Sequence, residues 1–176
     1  DLLSNMYVKF SLPALTKTSG DFAGWTNNIS RALIKKVELR IGGTLFDTLY
    51  DVPLDIYDAL TINNDKDGYM LMTGIYDFPV SLQENALVPS TYIALLPFWF
   101  TKSLGAALPI VAMQYASIEL TFEFRNFSEV LHYDGTTEPE SVDITSAELY
   151  CDYIHLEDDQ RVEYTNAYET DRQEVI

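Results

Sequence analysis

From Ala116 to Arg125 apolar and polar residues alternate without a break. Ile118, Leu120, Phe122 and Phe124 interleave with Glu119, Thr121, Glu123 and Arg125. Successive side chains of a β-strand point to opposite faces, so this stretch reads as a half-buried strand, one face on a core and the other in water. Burying the four apolar side chains is worth roughly 6–12 kcal/mol before entropy, at ~1.5–3 kcal/mol each. Upstream, Tyr92–Phe100 is almost unbroken apolar and reads as a second strand. A connector rich in Gly, Ala and Pro, Thr101–Gln114, joins the two.

The same period recurs elsewhere. Met6, Val8, Phe10 and Leu12 alternate with Tyr7, Lys9 and Ser11, and Pro13 ends that strand. Thr16–Asn28, with Ser19-Gly20 and Ala23-Gly24, reads as a loop. In Leu33–Ile41, Val37, Leu39 and Ile41 point inward while Lys36, Glu38 and Arg40 point out. Gly42-Gly43 then turns the chain so that Thr44–Leu49 returns as a hairpin arm. At Val52–Leu60 the period changes. Leu54, Tyr57 and Leu60 recur every three residues and Pro53 suits a first helical turn, so this is the candidate short helix. Residues 62–87, with a polar cluster at Asn63–Gly68, read as a surface excursion between strands. Asn126–Ser141 reads as a polar loop. Ile144–Leu156 is a further strand, apolar on both faces and expected to be covered on both. About six to eight strands, one short helix and long loops predict an all-β sandwich of two antiparallel sheets.

Charge narrows the functional classes. The net charge is −16, the opposite sign to the basic footprint of a nucleic-acid binder. Ten acidic residues and no Lys or Arg lie between Asn126 and Gln160, which suits a solvated rim or a site for an ion or partner. The single cysteine, Cys151, excludes an intrachain disulfide framework. No apolar run reaches the ~18 residues of a membrane span. The chain opens on Asp1 rather than Met, so a fragment of a longer protein is expected.

Catalytic patterns are sparse. His132 and His155 stand in no metal-binding spacing, and one cysteine cannot build a zinc knuckle. No G-x-S-x-G elbow or phosphate-cradling G-x-x-x-x-G-K-[ST] occurs. Glu157, Asp158 and Asp159 are adjacent carboxylates that repel one another and read as solvated rather than metal-binding. Arg31, Lys35, Lys36 and Arg40 form a basic cluster better suited to carboxylates, within or between subunits, than to phosphate. Asn28-Ile29-Ser30 and Asn126-Phe127-Ser128 match the N-glycosylation pattern, which matters only in a secretory setting. No catalytic residue, metal or cofactor is assigned.

Five blocks, in order, resemble the double jelly-roll major capsid proteins of large eukaryotic DNA viruses, the iridovirus, phycodnavirus and mimivirus-like lineage. They are DLLSNMYVKFSLPAL at 1–15, WTNNISRALIKKVELRIGGTLFD at 25–47, VPLDIYDAL at 52–60, LLPFWFTKSLGAALPIVAMQYASIELTFEF at 95–124 and LYCDYIHLEDDQR at 149–161. The resemblance implies a jelly-roll sandwich over residues 1–156, lacking an N-terminal strand, with 157–176 a charged tail or linker toward a second jelly roll. Such a fragment, expressed alone, is expected to aggregate, swap or bind a partner strand.

The function implied is structural and non-enzymatic. The chain would be part of a capsomer subunit that self-assembles as a homotrimer of pseudo-hexagonal outline into an icosahedral shell. Its partners would be copies of itself, neighbouring capsomers and minor capsid proteins, over a possible internal membrane. Its location would be the virion, assembled in the host cytoplasm. The small, Pro-bounded connector carries the expected subunit contact, at Leu104, Ala107, Leu108, Pro109, Ile110 and Val111. Two alternatives stay open: a single jelly-roll minor or vertex capsid protein, and a carbohydrate-binding β-sandwich with Trp25 as a sugar platform.

Overall fold

The first strand, β1 (Leu2–Leu12), is the centre of one sheet. Its alternation is expressed as read: Met6, Val8, Phe10 and Leu12 are buried, while Tyr7, Lys9 and Ser11 face outward and are half-buried. A computed structural model describes residues 1–16, 22–61, 66–113, 116–135 and 138–174. The Ser19-Gly20 turn signal and Gln114 at the end of the connector lie outside these residues.

Short β2 (Ala23–Trp25) follows, then a single helical turn, α1 (Ile29–Ala32). β3 (Ile34–Ile41) and β4 (Thr44–Tyr50) form the expected hairpin. Gly42 and Gly43 take φ of 58° and 81°, so both central residues of this two-residue turn are left-handed, the geometry that matches strand twist. Val37, Leu39 and Ile41 are buried, as their alternation requires.

The candidate helix is α2 (Asp51–Thr61), and it is not the only one. The excursion at 62–87 holds α3 (Lys66–Thr73) and α4 (Pro79–Ala86), the latter with proline in its first turn. α3 contains Gly68, which weakens its helical signal. It is held by tertiary bonds instead, and Gly74 closes it in a left-handed conformation at φ 78°.

β5 (Ser90–Leu95) ends earlier than the apolar run suggested. Pro97 cannot donate to a ladder, and Trp99–Thr101 turns as a 3-10 helix, followed by further 3-10 turns at Leu104–Ala106 and Ile110–Ala112. Apolarity from Leu96 to Phe100 therefore marks core-filling loop, with Leu96, Phe98 and Phe100 fully buried. β6 (Ile118–Phe124) is the alternating strand. A capped turn, α5 (Phe127–Val130), leads to β7 (Leu131–Tyr133), then β8 (Ser146–Ile154) and α6 (Asp158–Glu174). The charged tail is thus mostly helix. It closes on the body through Arg161, which bonds the Asp1 carboxylate.

The strands form two three-stranded antiparallel sheets, ordered β5-β1-β8 and β4-β3-β6, with β2 and β7 paired separately. The two strands that bracket the connector therefore do not share a sheet: β5 belongs to one layer and β6 to the other. The connector is the crossover between layers. Between the sheets lies one core that draws on β1, β3 and β5 and on the loop residues Phe98, Phe100 and Leu108.

Two strands are wetter than their sequences suggested. Ile118, Leu120, Phe122 and Phe124 point at the core but stay half-buried at the sheet edge, so their burial energy lies below the full value. β8 is only partly covered within this chain: Cys151 packs against the core and Tyr150 stacks on Tyr7, while most of its other side chains stay exposed. Val8 pairs with Leu149 and Leu3 with Tyr153, which places both β8 residues on the inner side, yet they remain 44% and 52% exposed.

Candidate assembly surface

The connector is fastened to its own chain at one point and open at another. Leu108 is buried, and its backbone exchanges two hydrogen bonds of 2.9 Å with Leu3 at the start of β1. Val111 N–H donates to the Asp1 carbonyl at 3.0 Å, and α6 packs over the turn at Ile110–Ala112. Ala107, Pro109, Ile110 and Val111 are half-buried. Of the six residues singled out for subunit contact, Leu104 presents the most open side chain, at 72% exposure. Leu108 is engaged by its own core, so a neighbour would meet the connector's outer side at 102–106.

An aromatic residue from the apolar run Tyr92–Phe100 stands close by in sequence. In Pro97–Phe100 the side chains alternate: Phe98 and Phe100 are buried, while Trp99 turns outward and is 39% exposed. Its ring stacks on Phe46, with centroids 6.5 Å apart and planes 26° from parallel. Phe46 is itself 57% exposed. It reaches Trp99 because β4 carries a β-bulge there. Leu39 pairs with Asp47 and Arg40 with Leu45, so Phe46 is the extra residue and its side chain is re-aimed. A bulge is a pairing irregularity that alternation alone does not announce.

The helices α1, α2 and α3 are pinned by a buried ion pair. Arg31, on α1, is 1% exposed and forks onto Asp58 of α2. Nε donates to Oδ2 at 2.6 Å and Nη2 to Oδ1 at 2.8 Å. Nη1 donates to the Leu95 carbonyl, and the Tyr69 hydroxyl of α3 donates to Asp58 at 2.6 Å. Burial opposes the charge on Arg31, but the Asp58 carboxylate outweighs it and holds the guanidinium pKa above its ordinary value. Burial, then the bond to Asp58, pushes the Tyr69 phenol up as well. Arg31 pairs with a carboxylate, as expected of its basic cluster, but from the helical turn α1 rather than from a strand, and it is the clamp that ties α1, α2, α3 and the end of β5 together. The remaining members of that cluster do pair with carboxylates: Lys35 with Glu123, Lys36 with Glu38 and Glu123, and Arg40 with Glu38.

The histidines lie apart from any such network, His132 on β7 and His155 after β8, and both are exposed. Among the described residues no three His, Cys, Asp or Glu side chains come together as a metal site would need. Trp25, the proposed sugar platform, is buried and stands edge-on to Phe127, so it offers no ring face to a glycan. Asn28, of the first glycosylation match, adopts a left-handed conformation and donates from its amide to Asp55. Asn126, of the second, caps α5.

The family profile for the major capsid protein N-terminus matches residues 1–157. The chain belongs to that family. This capsid-family chain is 32% identical over 169 residues to the major capsid protein of Pyramimonas orientalis virus, covering 92% of the chain and 39% of that relative. It is 30% identical over 166 residues to the major capsid protein of Paramecium bursaria Chlorella virus 1, covering 93% and 36%. Among solved structures it is similar to the crystal structure of PBCV-1 VP54 fitted into a cryo-EM reconstruction of the virophage Sputnik. The TM-score is 0.69 at 28% identity, over 94% of the chain and 38% of that protein. The two-sheet sandwich is therefore the jelly-roll fold of that capsid protein. The chain spans about two fifths of the length of the relatives it matches.

Proposed function

We propose that this chain forms part of a major capsid protein and acts structurally, tiling an icosahedral shell. The observation that carries the reading is joint: the family profile spans residues 1–157, and the fold agrees with a capsid protein over 94% of the chain. The shape of the molecule is compatible with it. Half-buried edges at β6 and β8 and an exposed connector are surfaces an assembling subunit covers with neighbours. The reading assigns no enzymatic step to the chain.

In finer terms, residues 1–156 are most of one jelly roll, and 157–176, largely α6, leads toward a second. Three subunits would form a block of pseudo-hexagonal outline, bound to neighbouring capsomers and to minor capsid proteins. Permanent contacts of that kind commonly bury ~2,000–5,000 Å². The connector contributes to the contact between subunits, with Leu104 its outermost side chain and Ala107 to Val111 beneath. The product resides in the virion capsid after assembly in the host cytoplasm.

Light scattering on the full-length protein after size exclusion, with electron microscopy of the same fractions, tests this. Trimers of hexagonal outline support the reading. A monomer at all concentrations that binds glycan would replace it with the carbohydrate-binding alternative.

A further inference from the structure

Between α2 and α3, beside the Arg31–Asp58 clamp, lies a cavity of about 500 Å³, within the ~300–1,000 Å³ of small-molecule sites. Ile56 and Ala59 of α2 and Met70 of α3 line it, and Ile75, just past the Gly74 turn, adds a fourth apolar side chain. Asp55, Ile56 and Ala59 are exposed, so the cavity opens to water along α2. It shares no lining residue with the connector or with the Phe46–Trp99 pair.

Two carboxylates reach this wall, and their surroundings differ. Asp58 is fully bonded: Arg31 Nε and the Tyr69 hydroxyl donate to Oδ2, and Arg31 Nη2 donates to Oδ1. Arg31 itself is 1% exposed and turns its remaining bond onto the Leu95 carbonyl, so it offers no charge to a ligand. Asp55 accepts one bond, from the Asn28 side-chain amide at 2.7 Å, and forms no ion pair among the described residues. Asp51, one turn earlier on the same helix, has Arg125 as its cation. An apolar cavity with one unneutralised carboxylate at its mouth, in a chain of net charge −16, selects a cation and repels an anion.

We propose that this cavity is a binding site for a small organic cation, an ammonium group on a short aliphatic chain. The ammonium pairs with Asp55, and the aliphatic chain lies on Ile56, Ala59, Met70 and Ile75. Other chemistries fit less well. A hard metal ion asks for about six to eight oxygen ligands, and the cavity brings one free carboxylate. An alkyl carboxylate would meet Asp55 and Asp58 with no accessible cation to receive it. A neutral alcohol keeps the apolar contacts but forgoes the ion pair. The cavity walls belong to α2 and α3, which the Asp58–Tyr69 bond already joins. A bound ligand therefore stabilises the fold in step with its concentration. Nothing in this inference depends on capsid assembly.

The test titrates the full-length protein with hexylammonium chloride, 1-hexanol and sodium hexanoate at matched ionic strength, by calorimetry and by melting temperature. The pH is held at about 7, where an alkylamine carries its proton as lysine does. Hexylammonium is expected to bind saturably, about threefold or more tighter than hexanol, and hexanoate more weakly than either. Asp55→Asn keeps the side chain's shape and an acceptor for Asn28. It should abolish the preference for the ammonium and leave hexanol affinity unchanged. Ala59→Phe fills the cavity from its open side and should weaken hexylammonium and hexanol alike, and its melting temperature without ligand shows that it has folded. If none of the three probes binds saturably, the cavity is no site and the inference fails. If hexylammonium binding survives Asp55→Asn, Asp55 is not the anchor and the inference fails. If it survives Ala59→Phe in folded protein, the cation is held elsewhere on the acidic surface, which overturns the inference as well. Light scattering of the same samples reports assembly separately, so the capsid reading stands or falls on its own.

Discussion

Arg31 and Asp58 meet as a fork, Nε to Oδ2 at 2.6 Å and Nη2 to Oδ1 at 2.8 Å, with both residues buried. Each desolvated charge depends on the other. Arg31→Met or Asp58→Leu alone should therefore lower stability by ~3–5 kcal/mol, by stranding one charge in the interior. The combined Arg31→Met/Asp58→Leu variant should be more stable than either. Denaturant unfolding of the three variants measures this. A double variant no better than the worse single would show that the pair is not the coupled unit described.

Gly74 tests the close approach of α3 to the sheet. A Cβ built there would lie 2.6 Å from Ile29 Cγ2 and 2.7 Å from Tyr92 Cε1, and φ is 78°. Left-handed backbone alone costs alanine ~1–2 kcal/mol, and the clash adds to it. Gly74→Ala should lower stability by more than ~2 kcal/mol. Gly68→Ala, at a helical position with nothing within 4 Å, should stabilise by roughly 0.5–1 kcal/mol. Melting curves of the two variants should move in opposite directions.

Neighbouring aromatics in Pro97–Phe100 should separate cleanly. Phe100 is fully buried, so Phe100→Ala should cost about 3–5 kcal/mol. Trp99 faces outward on Phe46, and Trp99→Ala should cost the monomer under about 1.5 kcal/mol, the scale of an aromatic pair. Calorimetry under conditions that keep the protein monomeric distinguishes them.

Asp51 supplies a pH signature. Its carboxylate accepts from Arg125 Nη2, and that bond first, then the backbone amide of Val52, draws its pKa below the ordinary value despite partial burial. A depressed folded pKa means the stabilisation is present above the unfolded pKa of about 3.9 and is lost as pH falls through the folded one. Asp51→Asn should therefore flatten the acid limb of the stability profile below about pH 4 and leave the slope at pH 6–8 unchanged. Urea midpoints across pH 2–8 for wild type and variant check it.

Much of the sandwich was legible because its signals are local. β1, β3 and β6 announce themselves by alternation, and Gly42-Gly43 fixes the hairpin between β3 and β4. Sheet membership was not legible. β5 and β6 flank one connector yet pair with β1 and β3 respectively, and that choice is made by partners far away in sequence. α3 and α4 were hidden because their stability comes from tertiary bonds and a closing glycine rather than from periodicity. The exposed faces of β8 were misjudged because apolar composition states what a strand would bury and not whether this chain supplies the cover. On the candidate surface, the connector's composition pointed to Leu104, and the structure shows that side chain exposed. Phe46 and Trp99 were missed: a bulge re-aims one, and a 3-10 turn rotates the other out of an apolar run.

The position of β1 has a consequence for how the protein is made. Its two flanking partners arrive in turn, β5 at residues 90–95 and β8 at 146–154, and Leu2 is finally matched by Ile154. During synthesis β1 must wait for β8, its backbone groups unpaired along one side until residues 146–154 emerge. Pairings of such long sequence separation slow folding and keep sticky edges exposed meanwhile. For a chain of this topology the vulnerable moment is the interval on the ribosome, and nascent-chain holdases are the cellular factors to which its yield should respond.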